Sequence, residues 1–474
     1  MGEQKKECLI ILKMITINPR TAEAYKLLHE GTLALARAEQ AGIRVDMEYI
    51  EKKKEFLSRK IARLEEQFMQ SNFCKHWFHS MKRVNINSNA QLAYFLYDIK
   101  KLKPAYLTSS GQGATDEEAL KQLKIPELEE LLEIRKLKKV RDTYLDAFAR
   151  EQVDGYLHPS FNLNLVKTFR SSSEGPNFQN IPKRDEESMN IVRRALYPRP
   201  GHQLLEADFS GLEVGIACCY HKDPNMIKYI ETDPGALHTD MAKQIYMIDN
   251  LDRSIPSHDV LRYAAKNGFV FPEFYGDYFR NCAESLATWV KLPTGTWSRE
   301  EGILLPTGPI GAHFAGKGIK SLTAFTKHIE RIEQDFWRNR FPYYAAWKES
   351  WWKLYQKYGY VDLKTGFRCS GIMGKNDCLN YPVQGAAFHC LLWSFIQVDK
   401  ISQEEGWDSR LIGQIHDSMI LDVNPSELNH VKKVIKKITC VDLPKVWQWI
   451  CVPLQIDIET YPVDCSWVEK EDIK

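Results

Sequence analysis

Gln203-Leu-Leu-Glu-Ala-Asp-Phe-Ser-Gly-Leu-Glu-Val214 decides the fold. The apolar run before Asp208 predicts a strand, and Gly215-Ile-Ala-Cys-Cys219 after it suits a helix, so Asp208 stands at a strand end where a carboxylate can face a cleft. Arg410-Leu-Ile-Gly-Gln-Ile-His-Asp-Ser-Met-Ile-Leu-Asp-Val423 repeats the arrangement, with His416-Asp417 interrupting two apolar half-strands as a hairpin turn would. A lone Asp in a turn is ordinarily structural. Two acidic turns flanked by strands invite a divalent metal instead.

Outward from the first stretch, residues 155–200 turn irregular and polar, crowding Asn162, Asn164, Lys167, Arg170, Ser171, Ser172, Ser173, Asn177, Gln179 and Asn180. Such a segment can supply hydrogen bonds to phosphates and groove edges, or form an ordinary capped loop. Residues 21–72 carry helical spacing broken at Gly42, which predicts two helices. A turn-rich connector near 100–115 leads to Thr115 or Asp116 as a helix cap, and a long Leu/Glu/Lys helix is expected over about 127–150. This charged helical region reads as a structural arm or clamp without chemistry of its own.

Composition sets outer bounds. The 474 residues are 44% hydrophobic and 27% charged, a globular balance that excludes disordered and collagen-like classes. Lys+Arg 64 against Asp+Glu 62 leaves a net charge of +2, so any affinity for a polyanion must come from local patches. Eleven cysteines without C-x-x-C spacing read as reduced, mostly buried thiols, and no zinc site is expected. The N-terminus lacks a signal-peptide pattern and no apolar run is long enough to span a bilayer, which makes a cytoplasmic location, with no membrane partner, the expectation.

Taken in order, the motifs resemble those of the family A (DNA polymerase I-like) DNA polymerases, particularly their phage branches, from about residue 30 almost to the end. Asp208-Phe-Ser-Gly-Leu-Glu213 is similar to the first palm motif. Arg262-x-x-x-Lys266, continued to Phe274-Tyr275-Gly276, resembles the fingers helix. Asn380-x-x-x-Gln384-Gly385 and His416-Asp417 resemble the remaining palm motifs, and Thr168-x-Arg170 with Asn177-Phe-Gln179-Asn180-Ile-Pro182 the duplex-gripping segment.

The resemblance implies roles. Asp208, Asp417 and the Phe209 backbone carbonyl would hold two Mg2+ ions, or Mn2+ in their place, as hard oxygen ligands favour. Arg262 and Lys266, four apart on one helical face, would meet the triphosphate with His238, and Lys266 would donate a proton to pyrophosphate. Phe271 would stack on the incoming base and Tyr275 near the templating base, while Glu213 beneath the sugar would exclude a ribose 2′-hydroxyl. Thr168, Arg170, Asn177, Gln179, Asn180, Asn380, Gln384 and His416 would hold the primer-template duplex. Primer-template DNA and deoxynucleoside triphosphates are the implied partners, with a separate exonuclease or processivity protein as a further one. About 30 residues precede the resemblance, too few for a proofreading domain, so no proofreading is expected.

Several positions depart from the family pattern. The fingers motif has one residue more than usual between Lys266 and Tyr275-Gly276, leaving Phe269, Val270 and Phe271 in competition for the base-stacking position. One inserted residue would rotate Tyr275 by about 100° on a regular helix, so a π-bulge or kink is expected between Gly268 and Pro272. Ser418 stands where a Glu is common, Gly215 where an Arg is usual, and Phe169 where a Gly precedes the duplex-gripping Arg.

The expected fold class is α+β, a mostly helical right-hand architecture with an antiparallel palm sheet. Residues 1–29 form an N-terminal extension, 30–155 a helical thumb, 156–221 and 361–474 the palm, and 222–360 the fingers, with an enlarged loop-rich insertion over about 277–325. The aromatic cluster from Trp337 to Tyr355 is expected to pack as core rather than as a stacking platform. The implied reaction is template-directed extension of a primer 3′-hydroxyl. A single-subunit RNA polymerase, a reverse transcriptase, or a catalytically inert DNA-binding clamp are the alternatives.

Overall fold

The computed structural model describes residues 18–469 apart from 82, 105, 109, 110, 184 and 234, so most of the expected 1–29 extension lies outside the described residues. Its centre is a four-stranded sheet of β1 (Gln203–Phe209), β2 (Arg410–Ile415), β3 (Ser418–Val423) and β4 (Ile456–Thr460), in spatial order β2-β3-β1-β4, with every neighbour antiparallel. β1 is thus a central strand. Leu205, Ala207 and Phe209 alternate with Glu206 and Asp208 along it, as the two-residue period of a strand requires. Ile415 pairs with Ser418, leaving His416 and Asp417 as the two-residue hairpin turn, and His416 takes the positive φ of 50° that such turns favour.

Helices enclose the sheet. α1 (Ala22–Ala41) is capped by Thr21, whose hydroxyl accepts from the Ala24 N–H, and stops at Gly42 with φ 64°. α2 (Met47–Gln70) packs on α3 (Pro126–Lys138), which continues through a π turn at Lys139–Leu145 and a last segment to Glu151. Asp116, not Thr115, caps the intervening helix by accepting from Ala119 N–H. α4 (Leu212–His221) follows β1 directly.

The thumb boundary expected at residue 30 falls inside α1, and that helix packs on the sheet instead. Gly31 lies so close to the Leu392 side chain that a Cβ would sit 2.9 Å from it, and Arg37 grips Asp399 through two nitrogens, Nε to Oδ1 at 3.0 Å and Nη2 to Oδ2 at 2.5 Å.

Between residues 222 and 360, α5 (Pro256–Ala265) runs into a π turn over Lys266–Val270 and then α6 (Phe271–Tyr275), which ends at Gly276 with φ 92°. The expected irregularity is present as this π turn, which begins two residues before the expected Gly268–Pro272 span and overlaps it at Gly268–Val270. Phe269 and Val270 point into the core, fully buried, and Phe271 is left half-exposed.

The expected insertion over 277–325 alternates loops with ordered elements. That stretch holds an 11-residue helix (Phe279–Trp289), a short hairpin and a further helix (Ile310–Gly316). Its apolar residues explain why: Trp297, with its indole N–H donated to the Pro293 carbonyl at 2.8 Å, packs against Phe314 and Phe325, each at 5.5 Å between ring centroids. Pro and Gly punctuate the segment, but buried aromatic area holds it together.

α7 (Pro342–Tyr358) carries the aromatic cluster except Trp337, which lies in the π turn before it; Tyr344 is buried and Tyr343 exposed. α8 (Lys375–Glu404), 30 residues long, supports the sheet from behind. Among the described residues no helix is long and apolar enough to cross a membrane.

Candidate active site

The register of the sheet brings the two acidic turns together. Asp208 at the end of β1 lies opposite Ser418 of β3, and the Phe209 N–H donates to the Asp417 carbonyl at 3.2 Å. Residues 209 positions apart in sequence become neighbours because β1 and β3 pair. Asp208 keeps 39% of its side chain exposed and Asp417 24%. Burial raises the Asp417 pKa; the Arg170 guanidinium opposes this and the Asp208 carboxylate adds to it. Asp417 Oδ1 is buried without a hydrogen-bond partner among the described residues, its nearest cation being Arg170 Nη2 at 4.0 Å. An unpaired carboxylate oxygen beside a second carboxylate is a set that a hard divalent cation fits. Among the described residues no cluster of three or more Asp, Glu, His or Cys side chains completes a cage. Ser418 does not replace the missing Glu, because its buried hydroxyl donates to the Ile415 carbonyl at 2.9 Å and closes the turn.

A connected set of side chains then leads across the cleft. Arg170 also pairs with Glu213 on the first turn of α4, and Glu213 in turn accepts from the Tyr275 hydroxyl at the end of α6. Asn380 on α8 donates to the Tyr275 carbonyl at 3.2 Å. Asp417, Arg170, Glu213, Tyr275 and Asn380 are thereby one contiguous group, of which Glu213, Tyr275 and Asn380 border a small recess lined also by Phe271, Lys348 and Val383.

Lys266, which follows α5, and His238, from a separate helix (Ala236–Tyr246), flank Phe271, and the charge of Arg262 on α5 is felt at both. Lys266 Nζ lies 5.2 Å from the Phe271 ring centre, and the His238 ring stands edge-on to it at 5.6 Å. Arg262 is held by its Nε donating to Asp259 at 3.1 Å. Burial, and then the charges of Lys266 and Arg262, push the His238 imidazole down to about 4; burial and Arg262 likewise lower Lys266. His238 is therefore neutral near pH 7, and its Nδ1 is buried without a partner among the described residues. Two crowded cations and an open imidazole form a site that an anion would relieve.

The duplex-gripping candidates divide into exposed and committed groups. Asn177, Asn180 and His416 are exposed and Gln384 is half-buried. Gln179 is used internally: its Nε2 donates to Ser171 Oγ at 2.6 Å and to Gln414 Oε1 at 2.9 Å, and Gln414 Nε2 donates to the His416 carbonyl at 2.8 Å. That network, with Ser171 Oγ donating to Gln414 at 2.7 Å, fixes the hairpin turn carrying Asp417. Phe169 keeps the left-handed backbone, φ 63°, expected of the glycine it replaces. Its buried ring packs on Phe367 at 5.5 Å, which offsets a strain of about 1 kcal/mol.

Gly385 is required by the same turn, since a Cβ there would stand 2.6 Å from the Thr168 carbonyl oxygen and 2.7 Å from Leu363 Cδ2. Gly385→Ala should destabilise the protein by about 1–3 kcal/mol and displace Thr168 and Arg170. A lowered melting temperature with weakened duplex binding by fluorescence anisotropy is the expected pair of results; native values of both would remove this role for Gly385.

Sequence reading missed several residues that the fold makes important. Glu273, buried within α6, is pushed up to about 8 chiefly by burial, and accepts from the Trp337 indole at 2.8 Å. Lys348, whose Nζ lies 3.9 Å from the Trp337 ring centre, is pushed down to about 8 by its own burial. Asp223, fully buried, accepts from the backbone N–H groups of Asn225, Met226, Tyr343 and Tyr344 and so ties the start of the 222–360 region to α7. Nothing in the local pattern around them signals burial. Lys183 is the fourth, with Nζ 2.9 Å from Asp208 Oδ2.

Known proteins are similar to this chain in fold and sequence. The polymerase domain of Pol1 from M. smegmatis, solved in complex with a DNA primer-template and dNTP, superposes with a TM-score of 0.71 over 93% of this chain and 70% of that one, at 23% identity, which establishes the fold as the right-hand polymerase fold. The thermostable DNA polymerase I of Thermus filiformis is 28% identical over 476 residues, covering 96% of this chain, and the DNA polymerase I of Caldicellulosiruptor bescii 26% identical over 408 residues, covering 85%. The chain spans 50% and 43% of the lengths of those two relatives. The family model described as DNA polymerase family A matches residues 47–291 and 354–463, a stretch that takes in both acidic turns, the π-kinked helix and the Asn380–Gly385 helix, and the chain belongs to that family.

Proposed function

We propose that the chain is a template-directed DNA polymerase that extends a primer 3′-hydroxyl with deoxynucleoside triphosphates and releases pyrophosphate. The observation that carries this reading is the pair of sites in one chain: neighbouring carboxylates with an unpaired oxygen on the sheet, linked through Arg170 and Glu213 to Tyr275 at the end of α6, and an anion-seeking group of Arg262, Lys266 and His238 by Phe271 at the start of that helix. An inert clamp has no use for either. The sheet and its supports, with α1 and α8, serve as the palm, residues 222–360 as fingers and the α2–α3 arm as thumb.

Asp208, Asp417 and the Phe209 carbonyl are the groups that would hold two Mg2+ ions, or Mn2+, which when bound lower the pKa of the attacking hydroxyl and take up charge on the phosphates. The chain's own residues do the rest. Arg262 and Lys266 orient the triphosphate and stabilise charge on the departing pyrophosphate, with Lys266 as the proton donor to it and neutral His238 as a hydrogen-bonding partner. Phe271, the one aromatic of the three competitors with its ring in the cleft, supplies a face for the incoming base. Tyr275 sits at the template side. Arg170, Asn177, Asn180, Asn380, Gln384 and His416 face the duplex, while Gln179 positions the turn.

Glu213 sets sugar choice on this reading. Its carboxylate, held by Arg170 and Tyr275, leaves no room for a 2′-hydroxyl. Extension of a labelled primer with deoxynucleotides and ribonucleotides offered separately tests the function and the gate together. The parent should use deoxynucleotides, and Glu213→Ala should raise the relative use of ribonucleotides by about ten-fold or more. Duplex binding without extension would favour the clamp, and an unchanged ratio would remove Glu213 from the gate.

A further inference from the structure

Lys183 has no part in the proposed function, yet among the described residues its ammonium is the cation paired with Asp208. Its Nζ is 2.9 Å from Asp208 Oδ2 and 3.3 Å from Glu206 Oε1. Glu206 precedes Asp208 by two residues on β1, so both side chains leave the same face of the strand.

Glu206 is 3% exposed, and its second oxygen accepts from Arg193 Nη1 at 3.2 Å. Arg193 also donates from Nε to the Pro182 carbonyl at 3.3 Å and stacks 4.5 Å over the Trp467 ring. A buried ion pair thus pins the chain one residue before Lys183 and holds the far side of its ammonium. The lysine is still 54% exposed, free to rotate away from Asp208 without disturbing the anchor. Glu206, Asp208, Lys183 and Arg193 form a closed set of two negative and two positive charges.

A divalent cation approaching Asp208 Oδ2 meets an oxygen already bonded to an ammonium. On the other carboxylate the protein cation is more distant, Arg170 at 4.0 Å from Asp417, and is already paired with Glu213. We propose that Lys183 is a tethered counter-cation of Asp208: it neutralises that carboxylate in the metal-free enzyme, limits its repulsion with Asp417, and must be displaced before a divalent ion binds there. This rests on the reading of Asp208 as a metal ligand. The free enzyme then binds metal weakly, and the triphosphate of an incoming nucleotide offers the displaced ammonium a new anion, so that metal and nucleotide uptake favour one another.

The test is Mn2+ binding to the intact protein without DNA or nucleotide, followed by electron paramagnetic resonance of the free ion, with thermal melts confirming the folded state. Lys183→Gln should tighten Mn2+ binding by about five-fold at low salt, the scale of a half-exposed ion pair, and the gain should shrink as salt rises. Lys183→Met, which keeps the aliphatic stem, should behave likewise, and Lys183→Arg should stay near the parent. Asp208→Asn should lose the site. If Asp208→Asn loses Mn2+ while Lys183→Gln and Lys183→Met bind it no more tightly than the parent, the counter-cation is overturned and Asp208 stands as a ligand. If Asp208→Asn binds Mn2+ as the parent does, the ligand reading fails and takes the proposal with it.

Discussion

Replacing Asp417 with Asn should lower the rate of primer extension by at least about a thousand-fold, equivalent to about 4 kcal/mol of transition-state stabilisation. Asp208→Asn should do the same. The amide keeps the size and one oxygen of each side chain but removes the charge that would hold a divalent ion, and no third acidic cluster among the described residues can stand in. Ser418 is committed to the turn and cannot compensate. Duplex affinity should remain within about three-fold of the parent, because the groups proposed to grip phosphates and groove edges are other side chains. The hairpin itself should survive, since it is held by Ser171, Gln179 and Gln414 rather than by the Asp417 carboxylate. Rapid-quench extension and anisotropy on the same preparations measure both quantities. Extension retained within about ten-fold in either variant would show that these carboxylates are not the centre of the chemistry.

The local parts of that candidate centre were legible in the sequence for a definite physical reason. Strand, turn and hairpin signals around Asp208 and Asp417 are local, whereas the β1–β3 pairing that brings them together spans 209 positions and comes from the fold. The π turn was equally legible: the spacing between Lys266 and Tyr275 was too long by one residue, and a helix can accommodate that only by a local change of hydrogen bonding. Other features depend on contacts distant in sequence. α1 looks like part of a charged helical arm until Gly31 and Arg37 find Leu392 and Asp399 on α8. The 277–325 segment reads as loop because Pro and Gly mark its turns, while the packing of Trp297 on Phe314 and Phe325 has no periodic signature. Gln179 reads as a polar group free for DNA, but Gln414, 235 positions away, receives its amide. Lys183 and Glu206 carry no motif at all, and only the fold shows that they share Asp208.

Lys266→Met should lower kcat by about a hundred-fold or more with a smaller effect on KM, whereas Arg262→Ala should act mainly on KM. The two cations sit on one face of the helix, yet their environments differ. Arg262 is fixed by Asp259 at 3.1 Å, so its guanidinium is oriented before the nucleotide arrives and contributes to binding throughout the reaction. No ion pair to Lys266 is found among the described residues; burial and the charge of Arg262 both destabilise its ammonium and lower its pKa from the ordinary 10.5. On the proposed reaction that energetic disadvantage would be relieved as negative charge accumulates on the departing pyrophosphate, which would place its contribution in the transition state. The lowered pKa also fixes the sign of the pH dependence: as pH rises, free Lys266 loses its proton earlier than an ordinary lysine, so kcat/KM should fall on an alkaline limb below 10.5. Lys266→Met should remove that limb along with most of the rate. Lys266→Arg should keep the charge but not the rate, since the broad guanidinium cannot occupy the position over Phe271 in the same way and donates a proton far less readily. Steady-state kinetics across pH on the parent and these variants decide the matter; an alkaline limb that persists in Lys266→Met would assign it to another group and leave Lys266 as a binding cation alone.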